Sequence, residues 1–274
     1  MSDKTATHTP SAITLATLRE MRQRGEKIAC LTVYDASFAT VLENAGVEVL
    51  LVGDSLGNVI QGHETTLPVT LTDMIYHARC VHRGRRRALI MADMPFMSDA
   101  APAQALGNAA RLMKEGGVHI VKLEGGAVMA DTIRLLSERG VPVCAHLGLL
   151  PQSIHKMGGY RVQGREQQDA NRILADAKLL EEAGADLLLL ECVSAQLVQE
   201  IVAAAGIPVI GIGAGPACDA QVLVLYDMLG ITPGKRPKFS RDFLSGSDGI
   251  DEAVAAYVRA VKQGDFPAAE HTYR

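Results

Sequence analysis

Val49-Leu50-Leu51-Val52-Gly53-Asp54-Ser55-Leu56-Gly57-Asn58 is the stretch on which the fold is read. Its first half is a short apolar run bounded by glycine, the pattern of a strand buried on both faces. It then stops on a carboxylate and a hydroxyl. A buried strand has no structural need for Asp54 at its end. A lone Asp after a strand is commonly a turn cap. Here, however, the same design recurs along the chain, and that recurrence favours a functional role.

Outward from this stretch, strands are expected at Ile28–Val33, Val47–Val52, Ala88–Ala92, Val118–Leu123, Val141–Ala145, Asp186–Leu190, Ile207–Ile210 and Val222–Leu225. Helical patterns lie between them, and Thr70 with Asp73 fits a capping box. The joints Ala45-Gly46-Val47, Gly116-Gly117-Val118, Arg139-Gly140-Val141, Ala183-Gly184-Ala185 and Ala205-Gly206-Ile207 are nearly a repeat. In each, a left-handed glycine is expected to end the helix, with the strand starting just beyond it. Alternating βα units give a parallel sheet. Eight of them in a chain of 274 residues favour an α/β fold closed as a single (β/α)8 barrel. The pattern at Thr14–Arg24 adds an N-terminal helix able to plug one end. No linker divides residues 11–274, read as one domain, and the polar residues 1–10 are expected to be a disordered N-terminus.

Composition narrows the partners. A net charge of −4 argues against nucleic acid or an anionic membrane surface. The one basic run, Arg83-Gly84-Arg85-Arg86-Arg87, is read as a solvated helix end. Five scattered cysteines without a CxxC pair read as buried free thiols of a cytoplasmic protein. No apolar run is long enough to span a bilayer, and no secretion signal is evident.

Active sites of such barrels lie at the C-terminal strand ends. Those ends carry, in order, Tyr34, Asp54, Asp93, Glu124, His146, Glu191, a glycine cluster and Asp227. Asp54, Asp93 and Glu124 end three consecutive strands, so their carboxylates should converge. Like charges so close raise one another's pKa unless a cation sits among them. Hard oxygen donors suit Mg2+ rather than zinc; caps or ion pairs with Lys122 are the alternative. Lys122, two residues before Glu124, shares its inward face and needs an anionic partner, either these carboxylates or a substrate; a Schiff-base role is the less favoured alternative, because a metal site offers the same electron sink. Glu191 follows four leucines and is expected on the side of the barrel opposite the acids, as a base toward carbon. Ser194 is expected to cap the next helix, which leaves Glu191 free of that task. His146 is read either as a hydrogen-bond partner of substrate or base, or as structural. Gly211-x-Gly213-x-Gly215 lacks the third glycine spacing of a dinucleotide site; close approach of a ligand is the preferred reading.

Together these residues resemble the ketopantoate hydroxymethyltransferase family. The matching blocks are Leu31–Ser37 (LTVYDAS), Val52–Gly57 (VGDSLG), Thr66–Val69 (TLPV), Met91–Phe96 (MADMPF), Val121–Gly126 (VKLEGG), Ala145–Ser153 (AHLGLLPQS), Leu189–Cys192 (LLEC) and Gly211–Pro216 (GIGAGP) with Val222–Leu229. They run in order over nearly the whole chain. One departure is Asp219-Ala220-Gln221, where Asp-Gly-Gln is expected, in a turn near the seventh unit. The resemblance implies a barrel of the phosphoenolpyruvate/pyruvate type, assembled as a homodecamer. It implies transfer of a hydroxymethyl group from methylenetetrahydrofolate to α-ketoisovalerate, giving ketopantoate for pantothenate synthesis. By the same resemblance Asp54 and Asp93 bind Mg2+, with Glu124 beside them directly or through water. Asp54, Ser55, Asp93 and Lys122 contact the keto acid, and Glu191 accepts the proton. The loops 57–69 and 150–164 are then the natural lids for the folate-borne donor. Two other readings stay open: an isocitrate-lyase-like or phosphonopyruvate-type enzyme, disfavoured because neither loop holds a cysteine, and a passive keto-acid binder with Glu191 idle.

Overall fold

Eight parallel strands close into a barrel in sequence order. They are β1 (Ile28–Thr32), β2 (Val49–Val52), β3 (Leu89–Asp93), β4 (Ile120–Glu124), β5 (Val143–Gly148), β6 (Leu187–Glu191), β7 (Val209–Ile212) and β8 (Ala220–Leu223). The computed structural model describes residues 11–159, 161–232 and 234–273. The expected N-terminal disorder over residues 1–10 lies outside them. The strands are buried along their length, with only the last residues of β4, β5 and β6 partly exposed at the rim, as expected for a sheet covered on its outer face by helices and filled within. Gly46, Gly117, Gly140 and Gly184 take positive φ and end their helices. Gly206 does not, because Ala205 has already left the helix in an extended conformation.

The helix Leu15–Gln23 closes the N-terminal end of the barrel. Arg22 Nε lies 3.1 Å from Asp219 and Arg19 reaches Asp186 at 2.6 Å, both acids standing just before strands. At the far end of the chain, the helix Ile250–Gln263 packs on β1, and the buried Tyr257 hydroxyl reaches the carbonyls of Cys30 and Gln221. All five cysteines are free, and four are buried. No helix among the described residues is long and apolar enough to cross a membrane.

Three local expectations are revised and one stands. The basic run does end its helix, at Gly84, with Arg83 and Arg86 exposed, and leads on into β3. Glu43 accepts hydrogen bonds from the backbone N–H groups of Arg86, Arg87 and Ala88, and half-buried Arg85 donates to the Ala88 carbonyl. Asp227 does not end a strand: β8 stops at Leu223, and Asp227 lies buried in the short helix Leu225–Met228. The segment Asp219-Ala220-Gln221 enters β8 rather than forming a turn. Gly211, Gly213 and Gly215 pack against this chain itself, a Cβ at Gly211 falling 2.7 Å from Cys218 Sγ and one at Gly213 3.0 Å from Phe239.

His119, just before β4, gives the fold an acid-sensitive staple. Its N–H donates to the Ile90 carbonyl and its Nδ1 accepts from the Ile90 N–H at 3.0 Å, while the Arg85 guanidinium lies 3.0 Å from Nε2. Burial, then Arg85 and His82, push the imidazole down from 6.5 to about 4. Between these values the unfolded chain binds the proton and the folded chain does not, so stability present above pH 6.5 is lost as pH falls toward 4. The stability difference between pH 7.5 and 4.5, measured by urea unfolding, is expected to shrink in His119→Asn. An unchanged difference removes His119 from the acid limb.

Candidate active site

Register places the chemistry. Across β3 and β4, Asp93 pairs with Lys122; across β4 and β5, Glu124 pairs with His146; across β5 and β6, Gly148 pairs with Glu191. Paired positions of neighbouring parallel strands share a face. Because each pair lies two residues further along β4 or β5 than the last, the side chains climb toward the rim as they pass from β3 to β6. The result is a continuous line of ionisable groups. Lys122 Nζ lies 3.0 Å from Asp93 Oδ1, 3.8 Å from Glu124 Oε1 and 3.2 Å from His146 Nδ1. His146 Nδ1 is 3.4 Å from Glu124 Oε1, and its Nε2 is 3.4 Å from Glu191 Oε2.

Glu191 is therefore next to the acid cluster with one imidazole between them, not across the barrel. The reason is topological: β6 is only two strands from β4 in a barrel that runs in sequence order. Two features bring its strand end close. Gly148 has φ 96°, and a Cβ there would stand 2.2 Å from the Glu191 carbonyl oxygen. Cys192 takes φ 49°, a strained left-handed value for a residue with a side chain. Its N–H bonds to the Ile212 carbonyl and its carbonyl accepts from the Gln163 N–H. Ser194 does not cap the following helix, since its hydroxyl donates to the Gly164 carbonyl.

The rest of the site gathers around Asp54. Its N–H donates to Asp93 Oδ2 at 2.9 Å. Ser55 Oγ lies 2.9 Å from the Tyr34 hydroxyl, which donates to Thr32 Oγ1. Gly53 permits this crowding, because a Cβ there would fall 2.8 Å from Ser55 Oγ. Asp54, Asp93, Lys122 and His146 are each 4% exposed or less.

Burial, then Asp93 and Glu124, push Asp54 well above the usual carboxylate range. Burial acts on Lys122 to remove its proton, but Asp93, Glu124 and Asp54 overrule it and hold the ammonium charged. Burial raises Glu124, yet the His146 hydrogen bond, Lys122 and a backbone N–H from Gln152 bring it below its ordinary value. For His146, burial and Lys122 oppose the charged form, and hydrogen bonding to Glu124 and Glu191 prevails and raises it. Lys122 can only donate, so in the neutral imidazole Nδ1 accepts and the proton sits on Nε2, toward Glu191.

The donor set fits a divalent cation. Four carboxyls, those of Asp54, Asp93, Glu124 and Glu191, gather about one ammonium, Lys122, and one imidazole, His146. Asp93 Oδ1 is buried, and its one close polar neighbour among the described contacts is Lys122 Nζ at 3.0 Å. Hard oxygen donors suit Mg2+ or a similar ion. Among the described residues no three His, Cys, Asp or Glu side chains already converge on one point. Glu124 is turned instead to Lys122, His146 and the Gln152 N–H.

Sequence reasoning missed Gln152 and Asp99. Gln152 joins the cluster from the loop after β5; it belongs to the block Ala145–Ser153 but carries no charge to mark it. Asp99 follows β3, and burial pushes it up to about 6, with Glu124 adding to the rise. Cavities of about 600 and 690 Å3 lie outside the barrel, between the helices Gln167–Glu182 and Ala195–Ala204, and hold none of the strand-end groups.

A sequence model described as ketopantoate hydroxymethyltransferase matches residues 12–269. A Nitrosococcus oceani protein named 3-methyl-2-oxobutanoate hydroxymethyltransferase is 62% identical over 261 residues, covering 95% of this chain and 99% of the relative. A Thiobacillus denitrificans protein of the same name is 61% identical over 262 residues, covering 95% and 99%. Among solved structures, phosphoenolpyruvate phosphomutase from Streptomyces platensis subsp. rosaceus aligns with a TM-score of 0.61 at 15% identity, over 79% of this chain and 82% of that one. A 2,3-dimethylmalate lyase described as a PEP mutase/isocitrate lyase superfamily member aligns with a TM-score of 0.57 at 17% identity, over 81% of each chain. At such identities the structural likeness shows the barrel type alone.

Proposed function

The chain belongs to the ketopantoate hydroxymethyltransferase family, and from that premise we propose that it transfers a hydroxymethyl group from methylenetetrahydrofolate to 3-methyl-2-oxobutanoate, giving ketopantoate for pantothenate synthesis. One observation carries the mechanism: an unbroken line of contacts from Asp93 through Lys122 and His146 to Glu191. It sets a carboxylate base beside a buried, cation-seeking acid pair.

Asp54 and Asp93 would hold the cation, with Glu124 beside them directly or through water. A divalent ion bound there supplies Lewis acidity toward the keto oxygen of the substrate. Lys122 and Ser55 fix the substrate carboxylate, Lys122 by charge and Ser55 from a hydroxyl anchored to Tyr34. Glu191 takes the proton from the β carbon, and the electron pair of that C–H bond becomes the enolate. His146 keeps Glu191 aimed by presenting Nε2 to it. One water supplies the hydroxyl oxygen: it adds at the methylene carbon of the folate donor, both C–N bonds break with their electron pairs returning to nitrogen, the two water protons pass to those nitrogens, and tetrahydrofolate leaves. The enolate carbon then bonds to the freed one-carbon carbonyl, whose oxygen takes up the proton held by Glu191, and the loops 57–69 and 150–164 screen the mouth from bulk water.

The test follows deuterium uptake at the β carbon of 3-methyl-2-oxobutanoate by NMR, in D2O with Mg2+ and no folate. Exchange is expected with Mg2+ and is expected to stop in EDTA. Ketopantoate is expected once methylenetetrahydrofolate is added. Binding of the keto acid with neither exchange nor product would favour the passive binder instead.

A further inference from the structure

Gln152 is the one residue of the loop after β5 that reaches the acid cluster among the described contacts. It sits in the short turn Pro151–Ser153, and its side chain is buried. Its Nε2 donates to Asp54 Oδ2 at 2.8 Å and to the Met94 carbonyl at 2.8 Å, and its backbone N–H donates to Glu124 Oε2 at 3.1 Å. One residue thus ties together the ends of three consecutive strands, β2, β3 and β4. Both amide hydrogens are committed, so the group cannot swing away without leaving a buried acceptor unpaired. The backbone beneath it is anchored as well. The Ser153 N–H bonds to the Leu150 carbonyl, and the Leu149 N–H bonds to the Glu191 carbonyl at 2.8 Å.

A carboxylate turns freely about its last torsion, which is broad and roughly two-fold. A donor fixed on one oxygen therefore chooses its plane. Gln152 does this for Asp54 by taking Oδ2 out of competition, and for Glu124 by holding Oε2 while Oε1 faces Lys122 and His146. We propose that Gln152 is a positioning residue for the metal site, fixing the directions of Asp54 and Glu124 so that cation affinity depends on a neutral residue that no barrel strand carries. The proposal rests on the reading that Asp54 and Asp93 hold a divalent cation. A partner of this kind behind a metal ligand typically contributes 10- to 100-fold in affinity.

The test is a titration with Mn2+, the unbound ion read by its EPR signal, without keto acid or folate. Gln152→Met keeps the length and removes the amide donors to Asp54 and Met94 while leaving the backbone N–H to Glu124 in place; Gln152→Ala removes the same amide donors and the bulk. In both, the Mn2+ dissociation constant is expected to rise by about 10- to 100-fold, and activity is expected to return toward the wild-type value at high Mg2+. Each variant is read only with native far-UV circular dichroism, and either one that folds carries the test. Wild-type affinity in Gln152→Met would overturn the proposal, as would a loss confined to Gln152→Ala, since packing would then explain it. A lowered melting temperature with unchanged affinity would leave only a structural role and would overturn it too. Failure of the wild type itself to bind Mn2+ would instead sink the metal reading beneath it.

Discussion

Glu191→Gln is expected to lower β-carbon deuterium exchange by about 10^2- to 10^4-fold, the usual contribution of a positioned general base, while the keto acid still binds. The substitution is close to isosteric. The amide oxygen can still face His146 Nε2, which stands 3.4 Å from Glu191 Oε2, so the imidazole need not move. What is lost is a site for the proton. Glu191→Asp keeps the charge but shortens the stem by one methylene and is expected to fall between the two, because proton transfer requires hydrogen-bond reach. The comparison is made by NMR at saturating keto acid and Mg2+. Exchange at the wild-type rate in Glu191→Gln would move the base elsewhere, with His146 the nearest candidate. Loss of keto-acid binding would mean that Glu191 holds substrate rather than its proton.

Much of this site is written in residue types whose position exposes them. A carboxylate at the end of a fully buried strand is conspicuous, which is why Asp54, Asp93, Glu124 and Glu191 stand out in the sequence alone. Period-two alternation likewise puts Lys122 on the face of Glu124. The barrel is legible for a related reason: glycine at Gly46, Gly117, Gly140 and Gly184 marks each helix end by a backbone conformation that few other residues adopt. What alternation cannot supply is the register between strands. The pairings Glu124 with His146 and Gly148 with Glu191 decide that Glu191 neighbours the acids, and nothing within a single strand encodes them. Loop residues are less legible still. Gln152 has no charge and no periodicity, and its role exists only because the turn after β5 folds over the strand ends. Ser194 shows the opposite error: a residue type strongly favoured at helix N-caps is drawn away by the Gly164 carbonyl.

Lys122→Met is expected to disturb both fold and chemistry. The ammonium is the only permanent positive charge that the described contacts place among Asp93, Glu124 and Asp54. Removing one partner of a buried ion pair costs about 3–5 kcal/mol, because the remaining charge is left uncompensated. For a chain of this size that corresponds to roughly 10 °C in melting temperature. The carboxyls can escape part of the cost by taking up protons. Asp54 already lies above the usual carboxylate range through burial, Asp93 and Glu124, with Lys122 opposing the rise; without Lys122 it rises further. The sign of the pH effect follows. A carboxyl raised in the folded state binds its proton there at a pH where the unfolded chain has released it, so its contribution is full below the unfolded value and is lost as pH rises through the folded one. The stability deficit of Lys122→Met relative to wild type is therefore expected to be smaller at pH 5 than at pH 8, measured by urea unfolding of both proteins. Activity is expected to fall by at least about 10^2- to 10^3-fold, the scale for removing one preorganised group that faces developing charge. A deficit that stays the same from pH 5 to 8 would show that the carboxyls do not answer to Lys122. The line from Asp93 to Glu191 would then be a row of neighbours rather than one electrostatic unit.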